Sequence, residues 1–162
     1  MHLLSTLLKH GSLIEDQRGA STVELAILAP VLLMICLFTI DVGFAVNEKM
    51  AIDHTVRVGA DRAMSDPGES VVQVSLQQAA SKNFSSVSTD PYPSPGTSPS
   101  VHVKASRFCV CPQDRATQVA CTTTCAAGKP VLAYYRLTGK KSYAGILVPS
   151  MIFDSALEVE VK

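Results

Sequence analysis

Tryptophan is missing from this sequence, and aromatic residues of any kind make up only 6% of its 162 positions. A folded core here must therefore be assembled from Val, Leu, Ile and Ala, without the large buried areas that aromatic rings supply. Net charge is missing too, with 14 Lys and Arg against 14 Asp and Glu. The two signs are interspersed, so no basic patch or acidic tail stands out, and nucleic acid is not an expected partner. A nucleophile motif, a phosphate-cradling loop and a paired-carboxylate site are all lacking. The four histidines, His2, His10, His54 and His102, are scattered and read as inert side chains rather than ligands. No catalytic activity and no cofactor are expected.

What the chain does have is one long apolar run. Leu25 to Ile40 carries no charged side chain, and Val42 to Val46 extends the stretch past Asp41. Val23 to Val46 is 24 residues, roughly 36 Å of helix against a bilayer core of about 30 Å. Three readings fit such a segment: a cleavable secretory signal, with small residues around Val42-Gly43-Phe44-Ala45; an uncleaved ordinary anchor; and a pilin-type leader followed by a retained helix. The first is disfavoured, because the run exceeds a usual signal core and helical patterning continues through Ala45; the third is favoured. Basic residues flank both ends, so loop charge does not set the orientation.

Beyond the run the helical period persists. Ile52, Val56, Gly59 and Ala63 form a stripe of modest side chains, and Lys49, Asp53, Arg57 and Asp61 recur on another, solvated face. The helix should end at Ser65-Asp66-Pro67-Gly68. Asp66 reads as the N-cap of a second helix, Pro67 as its first position and Glu69 as the capping-box acid. That helix should run to about Phe84, with Val72, Leu76, Ala80 and Phe84 on the face that covers a sheet or the first helix. The prolines and serines of 85–100 read as an extended linker. After it the period becomes two: Val101 and Val103, then Val131 to Leu137 around Tyr134 and Tyr135, then Leu157, Val159 and Val161. These predict a small antiparallel sheet, and the whole an α+β fold.

Five cysteines are present. Cys36 lies within the apolar run, whereas Cys109, Cys111, Cys121 and Cys125 cluster in one short window. Disulfides in an oxidising compartment are the favoured reading, which sets the cysteine-bearing part outside the cytoplasm. Of three connectivities, the nested one is preferred: Cys111 with Cys121 and Cys109 with Cys125, closing the loop without crossing. Zinc held by four thiolates and redox-active thiols are the alternatives, but C-x-C with C-x3-C departs from the usual knuckle and from C-x-x-C.

Arg18-Gly19-Ala20-Ser21-Thr22-Val23-Glu24-Leu25, followed by Ala26-Ile27-Leu28-Ala29-Pro30, resembles the TadE-like pseudopilins of the tight-adherence (Flp, type IVb) pilus machinery of bacteria. Phe38-Thr39-Ile40-Asp41-Val42-Gly43 and Arg57-Val58-Gly59-Ala60 are similar to later parts of the same pattern. Late C-x-C and C-x3-C groups occur in many members. The chain departs in carrying Leu25 where Phe or Tyr commonly follows the Glu. The resemblance implies a leader over 1–19 cut between Gly19 and Ala20 by a prepilin peptidase. It also implies a pilin-like layout: a transmembrane helix over 20–46, extracytoplasmic helices over 47–84, the linker 85–100, and a cysteine-containing β domain over 101–162.

The implied role is that of a minor pilin or pseudopilin in pilus assembly, seated in the inner membrane and packing with other pilus or pseudopilin subunits through Glu24, Pro30, Asp41 and Gly43. Glu24 would meet the new amine of a neighbouring subunit or sit at a helix N-terminus near the membrane edge. Asp41 would pack against a subunit or reach water. A membrane-anchored periplasmic binding module, not processed as a pilin, is the alternative function.

Overall fold

The computed structural model describes residues 17–89 and 100–161. The expected leader and the proline cluster of the linker therefore lie mostly outside the described residues. Two compact units make up the chain, Met1–Ile40 and Asp41–Lys162. A helix, α1 (Gln17–Ala63), belongs to both, with the boundary falling between Ile40 and Asp41.

In the first unit, every described side chain from Val23 to Ile40 is exposed. In the second, α1 is followed by α2 (Glu69–Asn83), β1 (Val87–Ser88), β2 (Val101–Cys111), β3 (Asp114–Val119), a single 3-10 turn (Ala126–Gly128), β4 (Leu132–Tyr143) and β5 (Met151–Val161). The sheet order is β1-β2-β4-β5, and β3 pairs with the far end of the β2 edge that carries β1. All pairs are antiparallel except β1 with β2, so the sheet is mixed rather than purely antiparallel. The chain between Ser88 and Val101 is long enough for the crossover that a parallel pair requires.

The core lies between one face of this sheet and the two helices. Ile52, Val56, Ala60 and Ala63 of α1 meet Val72, Leu76 and Ala80 of α2 over Val103, Ala105, Tyr135 and Leu137 of the strands. The stripe seen in the sequence is thus the packing face, and its small members allow close approach. A Cβ on Gly139 of β4 would lie 3.0 Å from Ile52 Cγ2 and 3.1 Å from Val56 Cγ2, so the strand backbone rests almost directly on α1. The opposite sheet face is polar. Across β4 and β5, Arg136 pairs with Glu158 at 2.7 Å and the Tyr134 hydroxyl donates to Glu160 at 2.7 Å, directly cross-strand.

The capping expectation for α2 fails. Gly68, with φ 100°, is the N-cap, and no side chain caps the helix. Asp66 and Glu69 are drawn to the sheet instead. Asp66, itself at φ 42°, accepts from the Tyr135 hydroxyl at 2.7 Å and from Arg107 Nη2 at 2.8 Å. Glu69 Oε2 accepts from the Arg107 backbone N–H at 3.0 Å.

One turn further along α2, Gln73 accepts from Ala105 N–H at 2.6 Å and donates to the Val103 carbonyl at 3.1 Å. β1 pairs with β2 at Val101 and His102, and β3 pairs with it from Cys109 to Cys111. Glu69 and Gln73 thus fill the gap along that edge, satisfying backbone groups that would otherwise invite another strand. On the charged face of α1, Lys49 pairs with Asp53 at 2.7 Å and donates to the Asp154 carbonyl of β5 at 2.8 Å.

The four late cysteines form two disulfides, Cys109–Cys121 and Cys111–Cys125, which interleave along the chain. The nested pairing is therefore wrong, and the reason is a hairpin that the sequence reading treated as loop. β3 folds back so that Val119 stands opposite Cys109. Cys121, two residues on, arrives beside Cys109 with Cα atoms 5.2 Å apart. The chain then passes through 122–124 and brings Cys125, just ahead of the 3-10 turn, beside Cys111, with Cα atoms 5.6 Å apart.

Candidate functional site

The residues singled out in the sequence fall on α1, in two environments. Gly19 and Ala20 lie in its first turns, and Glu24 is exposed. Pro30 is inside the helix, where its missing N–H would break a soluble helix at a cost of about 3 kcal/mol but is tolerated in membrane helices. The side chains around it are apolar on every side: Ile27, Val31, Leu32, Leu33, Met34 and Ile35 are all at least half exposed. Thr39, within this run, turns its hydroxyl inward to the Cys36 carbonyl at 2.8 Å. The best 18-residue window has a mean hydropathy of 2.5 and buries none of its surface within the chain. A helix apolar all round and unburied is long and apolar enough to cross a membrane.

Asp41 opens the second unit and is not turned to water: it is 2% exposed. The Tyr143 hydroxyl donates to its Oδ1 at 2.5 Å, and the backbone N–H groups of Leu147 and Val148 both donate to its Oδ2 at 2.8 Å. Three donors stabilise a buried carboxylate that lacks bulk water. Gly145 completes the cradle. A Cβ there would stand 2.6 Å from Asp41 Oδ2 and 2.8 Å from the Val148 carbonyl oxygen, so only glycine lets the loop wrap the carboxylate. Gly43, two residues along, faces open space, with nothing within 4 Å of a Cβ.

Sequence reading singled out Asp41 but missed its partners. The available signal was Tyr143-Ala144-Gly145 ahead of Pro149, a turn pattern set in an apolar stretch where polar loop residues are usual.

A second cluster lies at the start of α2. Asp66, Arg107 and Tyr135 share the hydrogen bonds given above, and the Arg107 guanidinium lies 5.9 Å from the Tyr135 ring centroid. Burial first, then the bond to Asp66, pushes the Tyr135 phenol up to about 12. The same hydroxyl, with Arg107 beside it, holds the Asp66 carboxyl below the usual carboxylate range. The cluster ties helix to sheet and contains no group placed to attack a substrate. Among the described residues, no three His, Cys, Asp or Glu side chains gather as a metal site. With all four late cysteines in disulfides, zinc has no thiolate ligands there.

The stretch of α1 that holds these residues can be compared with known families. Residues 19–61 match the family model for TadE-like proteins. No curated protein and no solved structure matches the chain. The TadE-like stretch starts at Gly19, spans Glu24, Pro30, Asp41 and Gly43, and ends at exposed Asp61, beyond the core residues Ile52, Val56 and Ala60 of α1. It excludes the sheet and the disulfides. The resemblance read from the sequence is borne out over these residues.

Proposed function

We propose that this protein is a pseudopilin-like component of a tight-adherence (Flp, type IVb) pilus assembly system, structural rather than catalytic. The observation that carries the reading is the TadE-like match over 19–61, lying on a helix whose apolar surface none of the described residues covers. That surface is held in the inner membrane and packs there with other pilus or pseudopilin subunits. Glu24, Pro30 and Gly43 contribute to the packing, while Asp41 organises the domain behind them. A prepilin peptidase cuts between Gly19 and Ala20. The disulfide-bearing domain faces the periplasm, since two disulfides belong to an oxidising compartment.

Replacing 23–40 with an unrelated apolar helix of equal length tests the mechanism while leaving Asp41 and the domain intact. In a strain lacking the native gene, the replaced protein is expected to reach the membrane yet fail to restore piliation. Full restoration would show that the helix is only an anchor and would favour a tethered periplasmic binding module.

A further inference from the structure

The loop that wraps Asp41 is unusual in composition. It joins β4 to β5 over 144–150, and from Ser142 to Phe153 the chain contains no charged residue. Its tip is uncovered: Ile146 is 81% exposed and Leu147 41%, with Pro149 also exposed and Ile152 of β5 41% exposed. Surface loops normally carry polar residues, and a contiguous exposed apolar patch marks a place of contact.

The position of this patch identifies the contact. Leu147 and Val148 are bonded through their backbone N–H groups to the carboxylate of Asp41, and Asp41 directly follows Ile40, the last residue of the uncovered apolar run. The same stretch of α1 exposes Val42, Phe44 and Val46. The loop is thus tied by hydrogen bonds to the residue that follows the apolar run in sequence.

We propose that the 144–150 loop is a second membrane contact, a wedge of Ile146, Leu147 and Pro149 seated in the outer headgroup region of the bilayer. Asp41 is its positioning residue. The cradle also resolves an electrostatic problem: a carboxylate at the membrane surface is unfavourable unless its oxygens are satisfied, and here the loop backbone and Tyr143 satisfy them. The inference rests on the membrane reading of α1, and its test separates the two.

Because the chain lacks tryptophan, one introduced tryptophan is a site-specific reporter. Full-length variants Ile146→Trp, Pro149→Trp, Val31→Trp and Arg115→Trp would be reconstituted into phosphatidylethanolamine–phosphatidylglycerol vesicles, with and without brominated acyl chains. Arg115 is on exposed β3 and serves as the water-facing control. The expected result is strong lipid quenching at position 31, and a blue shift with severalfold quenching by shallow bromines at positions 146 and 149. Position 115 should show none. Quenching at 31 without quenching at 146 and 149 would overturn the loop contact and leave the anchor standing. Shielding of 146 and 149 from aqueous acrylamide in that case would assign the loop to another protein chain. Absence of quenching at 31 as well would overturn the membrane reading and this proposal with it.

Discussion

At the scale of single residues, one buried and one half-buried acid decide how the domain is held, and each uses hydrogen bonds that no sequence pattern announces. Asp41 looks from its neighbours like a polar interruption of an anchor, yet it is fixed by Tyr143, Leu147 and Val148, about a hundred positions away. Asp66 looks like a helix cap and instead receives Tyr135 and Arg107.

The second pair has a pH signature. The Tyr135 phenol is raised from its ordinary 10.0 to about 12, so between those values the unfolded chain loses a proton that the folded chain keeps. Stability is then full below pH 10 and falls as pH rises towards 12. Asp66 works in the opposite sense: its carboxyl is lowered from 3.8, so its contribution is present above that value and is lost as pH falls through the depressed one. Unfolding curves in detergent should show both limbs. Tyr135→Phe, which keeps the packed ring, should flatten the alkaline limb and shift the acid limb towards higher pH. An unchanged pH profile would show that the hydroxyl contributes nothing to linkage.

At the scale of elements, the disulfides are the sharpest test of the fold. Nested and interleaved pairings place the same four cysteines in the same window, and only the β2–β3 hairpin register separates them. The double variant Cys109→Ser with Cys121→Ser should retain Cys111–Cys125 and show no free thiol beyond Cys36. Cys109→Ser with Cys125→Ser should leave Cys111 and Cys121 unpaired and open to maleimide in the folded protein. Each lost bridge should lower stability by about 2–4 kcal/mol. The reverse labelling pattern would restore the nested arrangement and displace β3.

Much of the element layout was legible beforehand. α1 past the apolar run, the buried face of α2 from Val72 to Phe84 and the terminal strand all follow from periodicity, because each buries one face against a single partner. What was not legible depends on contacts distant in sequence. β1 exists only by pairing with Val101 and His102. β3 is polar and exposed along nearly its whole length, so it carries no hydrophobic alternation to read. The α2 cap was misread because local capping chemistry lost to the sheet, whose Arg107 and Tyr135 offered Asp66 and Glu69 better partners. Of the candidate residues, Glu24 and Pro30 lie where their place in an apolar helix put them. The cradle around Asp41 required the β4–β5 hairpin to be folded first.

At the scale of the whole molecule, the chain joins a helix whose apolar run none of the described residues covers to a domain stapled by two disulfides. The run is long and apolar enough to cross a membrane, and disulfides persist in oxidising compartments. The TadE-like match spans this helix and leaves the sheet aside.

The most direct test is the first residue of the native protein extracted from the membrane fraction. The account predicts a membrane-bound chain beginning at Ala20, with Glu24 and the apolar helix retained. A water-soluble chain beginning beyond Ala45 would contradict it, because the helix would then be a discarded export signal.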